Sequence, residues 1–180
     1  MLPEPLHPAV VHFPIVFVVL LPLVAVAALI LVRRGGAVRP TWAWVVALAI
    51  ALPASAWVSI ETGEEQEEIV EDFVGEAPIH EHEEAADLFL FLALGGLAVI
   101  AAGLAPGHTG RFARYAGTAY TFGLLAAGIN VGHTGGELVY EHGAAQAYVA
   151  SSSITGEAGV RVRSDDHDED DDDGDRLGRR

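Results

Sequence analysis

The chain contains no cysteine and no lysine, and its single methionine is Met1. Without cysteine there is no disulfide, thiolate zinc site, iron–sulfur cluster, Cys-x-x-Cys-His haem attachment or Cys nucleophile. Positive charge is scarce as well: ten arginines face 25 acids, a net charge of −15 over 180 residues. That balance excludes nucleic acid as a partner, because duplex binding rests on cations that neutralise phosphates. Catalytic signatures are missing too. There is no His-Glu-x-x-His, no Gly-x-Ser-x-Gly, no phosphate loop and no dinucleotide fingerprint, so no stand-alone catalytic activity is expected. A metal or cofactor would have to be held by the eight histidines and the carboxylates.

Apolar residues are what the chain has in plenty, 51% of the total, and they are concentrated. Residues 9–32, 41–60, 88–105 and 115–131 are four stretches free of Asp, Glu and Arg. About 20 apolar residues span a bilayer core. The predicted fold is therefore all-α and polytopic: four transmembrane helices in two hairpins, forming a bundle over residues 1–150. The first stretch has no basic residue before it and is followed by Arg33 and Arg34, which marks an uncleaved helix rather than a signal peptide. Arg33, Arg34 and Arg39 follow the first helix, and Arg111 and Arg114 follow the third, with no acid in either loop. Glu61 to Asp87 holds twelve acids and no arginine. The positive-inside rule then predicts a multi-pass protein of the cell membrane with both termini extracytoplasmic.

Residues 151–180 are different material, with nine acids between Asp165 and Asp175. Like charge at that density predicts a disordered acidic tail. Its best calcium-loop register places Arg180 where a bidentate Glu is required, so an EF-hand is excluded. Abundant acid without lysine is a halophile-like composition.

With this topology, six of the eight histidines gather at the outer face: His7, His12, His80, His82, His133 and His142. His7 precedes Pro8 and suits a helix entry. His12 lies inside the apolar run, where an ionisable group needs a partner in the bundle. Pro14 lacks the N–H that would bond Val10 and should loosen the first turns. His82 shares a helical face with Ala85, Ala86 and Phe89. Gly135-Gly136 should end the last helix, and only a helix continuing through both would let His133 meet Glu137. Two landmarks recur: His12 leads to a hairpin ending at Thr62-Gly63, and His82 to one ending at Thr134-Gly135. A parallel repeat would set His12 opposite His82 and Glu61 opposite His133.

His7-Pro8, Val11-His12-Phe13-Pro14, Thr62-Gly63, His82-Glu83 and the segment Gly135-Gly136-Glu137-Leu138-Val139-Tyr140-Glu141-His142-Gly143 carry a resemblance. Over roughly residues 5 to 148 the chain resembles the bacterial and archaeal membrane family catalogued as domain of unknown function 2231. The resemblance implies a four-helix membrane domain. Because some members are joined to Rieske or cytochrome c modules, it also implies a link to electron transfer. The acidic insert after Gly63 and the tail go beyond the family pattern.

Three functions compete on these residues. One is a b-type haem or quinone-linked electron-transfer accessory subunit, with His12, His82, His133 and His142 as candidate cofactor ligands and a redox protein or quinone as partner. A second is a divalent-metal site built from His12, His82, His133, Glu61 and Glu137. The third is a structural subunit of a homo- or hetero-oligomer, its histidines and glycines serving helix packing in the lipid bilayer. An ion pathway is disfavoured, since no acid or base lies mid-helix.

Overall fold

The computed structural model describes residues 6–147, all of whose elements are α-helices: α1 (His7–Val10), α2 (His12–Arg33), α3 (Val38–Val74), α4 (Glu76–Ala102) and α5 (Gly107–Tyr140). The expected acidic tail, 151–180, lies outside the described residues. The break between α1 and α2 falls at Val11, next to the Val10 carbonyl that Pro14 cannot bond. Pro22 and Pro53 interrupt nothing, and both helices run on through them. After Arg33 the chain reverses on Gly35, whose φ of +96° suits glycine alone. The bonds Gly36 N–H to Leu31 O and Gly35 N–H to Val32 O close that end.

Two boundaries differ from those predicted. α3 does not stop near residue 60 but continues through the acidic segment to Val74, 37 residues in all. Glu, Gln, Val and Ile are tolerated in helices, and nothing between Glu64 and Val74 breaks one. The stop is Gly75, at φ +83°. α4 then starts at Glu76, with Pro78 in its first turn, where a missing N–H costs nothing. The second difference is at the far end. α5 passes through Gly135-Gly136 to Tyr140 instead of ending there.

α2 packs on α3 and α5, and α4 packs on the same two. The core between them is narrow and made largely of small residues: Ala25, Ala28, Ala49, Ala56 and Ala93 surround Leu21, Trp42, Leu52, Ile100 and Leu124. Small residues let helices approach closely. A Cβ on Gly96 would come within 2.6 Å of the Tyr120 ring, and the Tyr120 hydroxyl donates to Leu92 O at 3.0 Å.

The apolar surface points outward. His7–Arg33, Val38–Glu65 and Glu76–Ala102 are long and apolar enough to cross a membrane, yet only 28%, 33% and 22% of their apolar windows are buried. Phe13, Leu23, Trp44, Phe91 and Phe112 are all exposed. A water-soluble fold would hide such side chains; a bilayer would cover them. α5, predicted as the fourth span, is 34 residues long but is not among the three. It carries Thr118, Thr121, Asn130 and many glycines.

The burial register repeats. The constant shift that carries His7 onto His82 carries buried Val18, Leu21, Ala25 and Ala28 onto buried Ala93, Gly96, Ile100 and Gly103. The shift that carries Thr62 onto Thr134 carries buried Trp42, Val45, Ala49 and Leu52 onto buried Arg114, Gly117, Thr121 and Leu124. The second hairpin is a structural echo of the first.

Candidate ligand site at the histidine end

Each hairpin is fastened at one end by a histidine of its first arm. In the first, His7 Nδ1 lies 2.8 Å from Ser59 O and 3.4 Å from Thr62 Oγ1. In the second, His82 Nδ1 lies 2.9 Å from Thr134 Oγ1. The proton positions follow from the partners. A carbonyl only accepts, so His7 carries its hydrogen on Nδ1 and donates to Ser59. Thr134 spends its own hydrogen on Val131 O at 3.1 Å, so its oxygen accepts from His82 Nδ1–H. Thr62 likewise donates to Val58 O and Ser59 O, both at 3.0 Å. In a neutral ring so anchored, Nε2 keeps its lone pair, the arrangement usual for a ligating histidine.

The glycine after each threonine makes room for the ring. A Cβ on Gly63 would stand 3.2 Å from His7 Cε1, and one on Gly135 would stand 3.0 Å from His82 Cε1. This accounts for Gly135 inside α5. An interior glycine costs about 1 kcal/mol of helix propensity, and at Gly135 the contact with His82 offsets it.

In the first hairpin it is thus His7, not His12, that holds the place His82 holds in the second. His12 is exposed on α2. Five residues along a helix turn a side chain by about 140°, so His7 and His12 cannot face the same neighbour. Residues from the predicted set other than His82 also point elsewhere. The His133 side chain is 70% exposed and pairs with Glu137 at 3.6 Å, one turn along the same helix. Glu61 and His142 are exposed. His80 pairs with Glu84 at 3.3 Å, also in the open. Among the described residues no three His or carboxylate side chains converge on a metal position. His12, His82, His133, Glu61 and Glu137 therefore form no common cage.

His7, which the sequence alone places at a helix entry, is the site residue that local reasoning misses. The signal for it lies in the spacing of small and apolar residues. Only the His7–His82 register superposes Val18, Leu21 and Ala25 on Ala93, Gly96 and Ile100. No family model, no curated protein and no solved structure matches the chain.

Proposed function

We propose that the chain is an integral membrane protein of the cell membrane and that its paired clasp histidines, His7 and His82, serve as axial ligands of a b-type haem in an electron-transfer accessory subunit. In this reading all four long helices cross the bilayer as one bundle, with both termini extracytoplasmic. The register shared by α3 and α5 supports a fourth span. So does the chemistry of α5, whose Thr118 and Thr121 hydroxyls donate to Arg114 O and Thr118 O and present no unpaired donor to lipid.

One observation carries the haem reading: two imidazoles on equivalent helices, each tied through Nδ1 with Nε2 left free. The donor count favours haem over a caged metal. A structural zinc needs four protein ligands and a catalytic one three, whereas haem iron takes four nitrogens from its own macrocycle and needs only axial side chains. When bound, the haem would supply one-electron chemistry toward a redox protein or quinone. The chain's own residues fix the tautomer and hold both rings. The resemblance to the domain of unknown function 2231, carried in part by His7, Thr62-Gly63 and His82, supports this role.

The absorption spectrum of the full chain purified from haem-supplied membranes is the test. A Soret band that disappears in both His7→Ala and His82→Ala but persists in His12→Ala is the expected result. Colourless wild-type protein under those conditions defeats the haem reading. Stoichiometric zinc or copper in that preparation would instead favour the metal alternative, with its remaining ligands supplied from outside the chain.

A further inference from the structure

The opposite end of the molecule holds a buried cation for which the described residues supply no anion. Arg114, in the first turns of α5, is only 7% exposed. Its Nη1 donates to Gly103 O at 2.6 Å, just past the end of α4. Trp42 Nε1 donates to the same helix end, at Ile100 O, at 2.8 Å. The negative end of the α4 dipole offsets part of a unit charge there. Among the described residues no carboxylate pairs with it, and residues 5–60 and 88–136 contain neither Asp nor Glu. Arg33, Arg34, Arg39 and Arg111 cluster at this same end, since Trp42 and Arg114 both reach the terminus of α4.

Beside Arg114 is a cavity of 270 Å³, bordered by Arg39 and Arg114 and otherwise by Val38 and the mostly apolar residues 104–107 that lead into α5. A Cβ on Gly110 would collide with the Ala105 carbonyl, so glycine lets α5 pack this close to the turn before it. Two arginines therefore border one hollow at the start of α5, where Gly107 follows the cap residue Pro106. A buried charge without a counter-charge is costly, and arginine's fork matches the oxygens of phosphate. Basic pockets between membrane helices bind lipid headgroups on the same grounds.

We propose that this cavity binds a phosphate group, presented by the headgroup of an anionic lipid or by free phosphate. The site is independent of the histidine pair and stands whether or not a haem is bound. Arg114 also caps α4, so its removal would confound binding with folding; Arg39 is exposed and tests the site cleanly. The full chain in neutral detergent is titrated with phosphatidylglycerol, phosphatidylcholine or inorganic phosphate, and its thermal midpoint is followed. Phosphatidylglycerol should raise the midpoint and phosphatidylcholine should not. Arg39→Gln should weaken the response about tenfold, the loss of one charged hydrogen bond, while Arg33→Gln leaves it unchanged. Competition by inorganic phosphate would identify free phosphate as a ligand, and its failure to compete would assign the site to the lipid. Equal responses to the two lipids without any response to inorganic phosphate would overturn the proposal. So would an undiminished response in Arg39→Gln, or an equal loss in Arg33→Gln.

Discussion

Leu52 and Leu124 occupy the same position of a hairpin that occurs twice in the chain, and both are almost completely buried, at 1% and 2% exposure. Around them the two hairpins agree in which residues face inward and in the clasp that ties histidine to a Thr-Gly pair. They part company at the other end. Trp42 and Arg114 are equivalent by register, yet both donate to the end of α4. The repeat is thus closest at the histidine end and broken at the arginine end, where the phosphate cavity opens.

The clasps predict an order of sensitivity among histidines. His7→Ala removes a part-buried hydrogen bond and should cost about 1–2 kcal/mol. His12→Ala, at an exposed position, should stay within about 0.5 kcal/mol. Denaturation in detergent measures both, and the reverse order would return the site to His12.

Neighbouring glycines should respond with opposite signs. A methyl added at Gly136 would meet nothing within 4 Å, so Gly136→Ala should stabilise α5 by up to about 1 kcal/mol. Gly135→Ala would press a methyl to 3.0 Å from the His82 ring. That crowding should consume the propensity gain and leave the variant less stable than wild type. Two stabilising substitutions would show that His82 does not rest on α5.

The close approach of α4 and α5 gives a stronger effect. Gly96→Ala places its methyl 2.6 Å from Cε1 of Tyr120, with the ring held by its hydroxyl bond to Leu92. Overpacking of this kind costs about 1–3 kcal/mol. Tyr120→Leu in the same background should recover part of the loss, a coupling that a double-mutant cycle reads directly.

Tryptophan fluorescence distinguishes lipid-facing from interior positions. Trp44 and Trp57 are 72% and 57% exposed, whereas Trp42 is fully buried. In single-tryptophan variants reconstituted with brominated lipid, Trp44 and Trp57 should be quenched and Trp42 spared. Equal quenching of all three would contradict the inward placement of Trp42.

Composition and apolar run length alone determined that the chain is helical and carries helices suited to a bilayer, because those properties depend on transfer free energy summed over about 20 residues. The segregation of arginine from acid is equally plain. The helix ends are not. The acidic stretch after Thr62 reads as a loop because it is polar, yet polarity excludes burial, not helicity, and only Gly75 stops α3. Gly135-Gly136 reads as a terminus because its propensity cost is visible in sequence, while the ring of His82 resting against it is not. The same limit governs the site. His7 and His12 are both near the start of one apolar helix, and nothing local ranks them. Tertiary structure decided between them by rotation: α1 and α2 turn inward the face that carries His7, Val18 and Leu21, and that face leaves His12 outside. Sequence therefore set which segments are apolar enough to cross a membrane, and packing between helices, which fixes helix rotation, selected the imidazole that fastens each hairpin.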